Sequence, residues 1–214
     1  MKSGKFIWAS ALAIVVVLVV GIWSVWRWIE TTPRQSTQNS TAAADAHEAF
    51  GAVYEASWRG DEGIGEATMS ATLLTPGLKT LMVNDPQRGS LDTQVVETFD
   101  AETKDQIAVI VAMDAVAGSA SARLPDDTVR AALTFTVDET EAEMAELVPL
   151  VVTDLPTSNS NPTIQRRWVA FFTPSSKVDW GSDRPMKLSV ADIGGVATRT
   201  FTWSTPAMLN RLAS

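Results

Sequence analysis

From Phe6 to Trp26 the chain runs 21 residues without a charge, FIWASALAIVVVLVVGIWSVW. As an α-helix at ~1.5 Å per residue this run is roughly 31 Å long, close to the thickness of a bilayer's hydrocarbon core. Such a run either crosses a membrane or is a secretory signal that is cut away. A signal's apolar region usually spans about 7–15 residues and leads at once into small residues at a cleavage site. Here it leads into WSVWRWIETTPR, and the nearest A-x-A pattern, Ala44-Asp45-Ala46, lies well downstream. Trp8 at one end, and Trp23, Trp26 and Trp28 at the other, suit the membrane interface. The spacing predicts one transmembrane helix over 6–29 that stays in place as an anchor. Ala9 and Ala13 form a small-xxx-small pair, which an alanine-containing apolar run produces by chance.

Orientation follows from the flanks. Lys2 and Lys5 place residues 1–5 in the cytoplasm by the positive-inside rule. Arg27 and Arg34 nearly balance them, but the N-terminal flank is short and carries no acid. The rest of the chain is therefore expected outside the cytoplasm.

Beyond the anchor the balance of charge reverses. The chain carries 17 basic and 25 acidic residues, and only Glu30 among the acids lies before residue 35. An acidic domain repels phosphate backbones, which argues against nucleic acid as a partner. With no cysteine, disulfides, thiolate metal sites and cysteine nucleophiles are excluded.

Residues 30–43 are polar and read as a flexible linker. Their Asn39-Ser40-Thr41 sequon matters only in a eukaryotic secretory pathway. Ala44–Trp58 reads as an amphipathic helix, with Phe50, Val53, Tyr54 and Trp58 on one side. TPGLKTLMVNDP predicts a short second helix, with Thr75 as N-cap and Pro76 at the first helical position. The alternative there is a loop running into a strand. From residue 91 the period becomes two, and strands are expected over 93–99 and 106–116. The second is apolar on both faces and reads as a central strand. VRAALTFTVDE alternates, with Val129, Ala131, Leu133, Phe135 and Val137 inward. Thr140 and Glu143 suggest a capping box for one helical turn, followed by a strand over 147–156 edged by Pro149. Near the C-terminus, Gly194-Gly195 predicts a tight hairpin that sets Leu188 opposite Phe201 and Met186 opposite Trp203. A closing helix with Thr205 as cap and Pro206 at its first position completes the chain. The domain is read as 44–156, with 157–214 as a β-hairpin extension on it.

Catalytic patterns are sparse. The single histidine, His47, lies next to the linker and reads as solvated rather than as the oriented base of a triad. Zinc normally needs several His or Cys ligands. Asp126-Asp127 and the run Asp138, Glu139, Glu141, Glu143 and Glu146 lack the spacing of a calcium loop and read as a solvated face. Arg59-Gly60-Asp61 spells an adhesion tripeptide, although Gly60 suits a helix end. Trp58, Trp168 and Trp203 fall in periodic segments and read as core. Trp180, in a turn-like context, is the candidate partner contact.

The order of anchor, linker, helix, second helix and strands, with stretches such as HEAFGAVYEASW, LLTPGLKTLM and VVTDLP, resembles the membrane-anchored NTF2-like domains of bacterial envelope machines. These include inner-membrane scaffold components of type IV secretion and conjugation systems; proteins associated with mammalian-cell-entry transporters are similar. The resemblance covers about residues 1–156 and leaves the hairpin region 163–204 outside it. It implies an α+β, β-rich, antiparallel-sheet domain that is non-catalytic and takes no cofactor or metal. Its partners would be the lipid bilayer and other envelope proteins, or further copies of itself. The rival is an immunoglobulin-like β-sandwich serving as a binding or adhesion module, suggested by KLSVADIGGVATRTFTW. A helix at Ala44–Trp58 favours the first reading, and a strand starting near Val53 the second. A third class, an anchored hydrolase, would need a cleft of carboxylates with perturbed pKa values.

Overall fold

The structure, a computed structural model, describes residues 35–60, 67–99, 103–151, 163–194 and 196–212. The chain divides into two units, Met1–Ala42 and Ala43–Ser214, and of the first only helical residues 35–42 are described. No helix among the described residues is long and apolar enough to cross a membrane. The run Phe6–Trp28, with its tryptophans, Lys2 and Lys5, lies outside them.

Helix α1 covers Gln35–Ser57, so the stretch read as a flexible linker is helical from Gln35 onward. After Pro33 it contains no proline or glycine until Gly51, and Ala42-Ala43-Ala44 favours helix strongly. Phe50 and Val53 are buried along one face, as the periodicity predicts. Trp58 departs from its expected core role: it begins strand β1 (Trp58–Gly60) and is 46% exposed. Its indole lies over Gly60, where a Cβ would collide with the ring, so Gly60 leaves room for Trp58 rather than ending a helix.

Strand β2 (Ala67–Leu74) leads into α2 (Pro76–Asn84). The Thr75 hydroxyl accepts the Leu78 N–H at 3.2 Å, and Pro76 occupies the first turn, as the sequence predicts. Residues 93–99, expected as a strand, lie instead in and just after helix α3 (Ser90–Glu97). The Asp92 carboxylate accepts the Gly89 N–H at 3.3 Å and starts this helix. Val95 then turns into the core, with Val96 and Phe99 packed against the same cluster.

Strand β3 (Ile107–Val116) is doubly covered. Ile107, Val109, Val111 and Met113 face one core, and Ala108 and Ile110 face another. Residues 129–132, expected to be extended, lie instead in helix α4 (Asp126–Ala132) before β4 (Leu133–Val137). Two acids in its first turn favour the helix dipole, and Ala132 rather than Ala131 is buried. The helical turn expected near Thr140 is also absent. Asp138 and Glu139, at φ 51° and 65°, form a two-residue hairpin loop into β5 (Thr140–Leu150). Left-handed backbone matches strand twist in such loops but strains residues that carry a side chain. Glu139→Gly is therefore expected to raise stability by about 1 kcal/mol in urea denaturation. The register of β5 on β6 shifts between Met144 and Glu146, and the Arg130 guanidinium donates to the Ala145 carbonyl at 2.9 Å. Pro149 pairs opposite Trp168 on a stretch that β4 no longer flanks, an edge position that tolerates a missing N–H.

Strand β6 (Thr163–Thr173) inserts between β3 and β5. Residues 157–214 therefore supply a central strand of the sheet, not only a hairpin added to its side. Strands β7 (Met186–Val190) and β8 (Arg199–Trp203) pair with Met186 opposite Trp203 and Leu188 opposite Phe201, the predicted register. Gly194, at φ 50°, supplies the left-handed backbone at the hairpin tip, which Ile193 and Val196 close. Helix α5 (Pro206–Leu212) follows.

All neighbouring strands are antiparallel, in the order β1-β2-β3-β6-β5-β4-β7-β8. The sheet curls until its two edges meet: Arg59 Nε donates to the Thr202 carbonyl at 3.2 Å. The indole of Trp203 donates to the Ser57 carbonyl at 2.7 Å. Inside this near-barrel Phe135 stacks on Phe172 at 4.9 Å between centroids, beside Trp168, Trp203 and Met186. Helices α1 to α3 cover the outer face of β2, β3 and β6 with a second core around Phe50, Leu78, Met82 and Phe171. One continuous curved sheet that closes toward a barrel, with helices α1 to α3 on its outer face, is not the two-sheet arrangement of an immunoglobulin-like sandwich. The β-rich α+β expectation holds.

Candidate functional site

Two cavities flank the helical layer. The larger, about 390 Å³, opens where β2 ends and β3 begins. Proline-initiated α2 presents Lys79 and Val83 to it, the segment after α3 supplies Phe99, and the loop before β7 supplies Trp180. Trp180 is half-buried and packs against the inner core, so this sequence-predicted contact residue forms a wall as well as surface. Gln106 contributes an amide. The Lys79 ammonium lies 4.9 Å from the centre of the Phe99 ring. Among the described residues no carboxylate lies within ion-pair distance of it.

Burial lowers the pKa of Lys79 to about 8. The folded state thus releases this proton more readily than the unfolded chain, and stability rises with pH between about 8 and the ordinary lysine range. Denaturation midpoints measured at pH 7 and pH 9.5 are expected to show this rise, and Lys79→Met to reduce it.

The smaller cavity, about 190 Å³, lies between α1, α3 and the sheet, lined by Tyr54, Trp58, Thr72, Asp92 and Arg167 among others. Its polar groups each find a partner within the fold. Burial pushes the Tyr54 phenol up, and its hydrogen bond with Thr72 partly offsets this. Asp92 is also raised by burial, and holds the Gly89 N–H. Arg167 pairs with Asp114 at 2.6 Å. This cavity has its charges answered from within the fold, whereas among the described residues Lys79 of the first has only the Phe99 ring.

His47 is not simply solvated. Its Nδ1 lies 2.8 Å from Asp85 Oδ2; the imidazole is half-exposed and the carboxylate fully buried. Asp85 Oδ1 also accepts the Gln87 N–H at 2.8 Å. Burial pushes the Asp85 carboxyl up, but the hydrogen bonds from His47 and Gln87, and the charges of His47 and Arg88, more than offset it, so its pKa is lowered. This stabilisation is present above the ordinary carboxylate pKa and is lost as pH falls through the depressed one. Asp85→Ala is expected to cost about 2–3 kcal/mol in urea denaturation at pH 7, because the His47 and Gln87 donors lose their buried acceptor. The difference from wild type should shrink as the pH is lowered below the carboxylate range.

The acidic residues read as a solvated face split in role. Glu141, Glu143 and Glu146 are exposed along β5. Asp126 instead accepts from Arg166 at 2.6 Å and from the Trp168 indole at 2.8 Å, tying α4 to β6. No group of three or more His, Cys, Asp or Glu side chains placed to hold a metal occurs among the described residues.

The fold and cavities define a near-barrel antiparallel domain with a helical layer on one side and one aromatic-walled, lysine-bearing pocket. The chain matches no protein family, curated protein or solved structure with which it was compared.

Proposed function

We propose that the protein is a non-catalytic assembly subunit of a bacterial cell envelope, held by a single N-terminal membrane helix with its β-rich domain outside the cytoplasm. The observation that carries this reading is the uncharged, tryptophan-flanked run Phe6–Trp26, long enough to span a bilayer. Helices packed on one face of a curved antiparallel sheet support the NTF2-like form of the proposal. Trp180, a half-buried aromatic at the rim of the larger cavity, is the surface proposed to meet other envelope proteins or a second copy of the chain. The proposal is tested by cross-linking in intact cells followed by detergent extraction. Reproducible membrane-bound complexes containing the chain are expected; recovery only as a monomer would contradict an assembly role.

A further inference from the structure

We propose that the larger cavity binds an amphiphilic carboxylate, its apolar body lodged between Phe99, Trp180 and Val83 and its carboxylate on the Lys79 ammonium. This inference stands on the cavity alone and not on the membrane tether. The volume of about 390 Å³ lies in the range of small-molecule sites, which are apolar with few polar groups. The walls join an apolar side of two aromatic rings, Val83 and Pro76 to a polar side of Thr80, Asn84, Thr103 and Gln106, with Lys79 as the one charged group among the described lining residues.

The sign and size of the ligand's charge follow from Lys79. An ammonium carries three donors. The face of Phe99, at 4.9 Å, answers part of its charge but supplies no conventional acceptor. A neutral apolar ligand would strip water from the ammonium and leave it unpaired, which is costly. A carboxylate returns both charge and acceptors. A phosphate is favoured by several charged donors or a guanidinium fork, whereas among the described residues this cavity's lining contains one lysine and no arginine. One monovalent anion on an apolar body is the chemistry that satisfies both walls and charge. It could arrive as a free aliphatic acid or as the C-terminal residue of a peptide.

The test uses the full chain in lipid nanodiscs, titrated calorimetrically at pH 7 with octanoate and separately with N-acetyl-phenylalanine, against empty nanodiscs. N-acetyl-phenylalanine amide, which lacks only the carboxylate, is the control ligand. Saturable binding of at least one acid is expected, weakened at least tenfold in Lys79→Met, the usual loss for a hydrogen bond between charged groups. Lys79→Arg should retain most of the affinity. Binding of octanoate alone identifies a free aliphatic acid as the source, and binding of the acetylated residue identifies a peptide terminus. No saturable binding of either acid overturns the proposal. So does undiminished binding of the acid to Lys79→Met, or equal binding of the amide where the acetylated residue binds. If Lys79→Met does not fold, octanoate and octanamide are compared on the wild-type chain, and equal affinity for both overturns the proposal.

Discussion

Trp203→Ala is expected to destabilise the domain by about 3–5 kcal/mol, the range for emptying a large aromatic site in a packed core. Trp203 is fully buried, lies 6.4 Å from Phe135 between ring centres, and sits opposite Met186 in the last strand pair. Its indole N–H also holds the Ser57 carbonyl, where α1 hands over to β1. The substitution therefore removes core volume and one of the contacts that bring the sheet's edges together. Trp203→Phe keeps much of the volume and loses the hydrogen bond, so a cost nearer 1–2 kcal/mol is expected. Urea denaturation of both variants separates the two contributions. A cost below about 1.5 kcal/mol for the alanine variant would show that the near-barrel closes without this residue.

The second large effect concerns the tether. Deleting residues 6–28 is expected to move the chain almost wholly from the membrane pellet to the soluble fraction, since the acidic remainder gains nothing from an anionic lipid surface. Val17→Arg places a charge near the middle of the run, where insertion scales put the cost at about 2.5–3.5 kcal/mol. It should reduce insertion without removing any of the domain. Resistance of the wild-type chain to alkaline carbonate, with loss of that resistance in both variants, is the expected result. Equal extraction of all three would contradict a spanning anchor.

Local signals in the sequence translated well where one short segment decided the outcome. Gly194-Gly195 predicted the register found between β7 and β8, and Thr75-Pro76 the start of α2. The two apolar faces of β3 announced a strand covered on both sides. The failures have physical causes. Val95-Val96 and Thr98 favour strand, yet Leu91, Val95 and Phe99 repeat at four-residue spacing, and Asp92 caps the start. Asp138-Glu139 carries no glycine, so a left-handed hairpin turn had no signature. The acidic residues after it look helical until pairing with β4 and β6 fixes them as a strand.

The candidate site was less legible. Trp180 stood out alone, but Lys79, Phe99 and Gln106 converge on it from other segments, and only the tertiary fold brings them together. The same holds for His47 and Asp85, which belong to α1 and the end of α2. A pairwise contact between distant helices leaves no periodic trace in one sequence.

The most direct test of a tethered interaction subunit is photo-cross-linking from position 180 of the full chain in native membranes, with exposed position 187 as control. The account predicts a discrete adduct, with a second envelope protein or another copy of the chain, from 180 and not from 187. No adduct from 180 in membranes that retain the chain, or equal adducts from both positions, would contradict it.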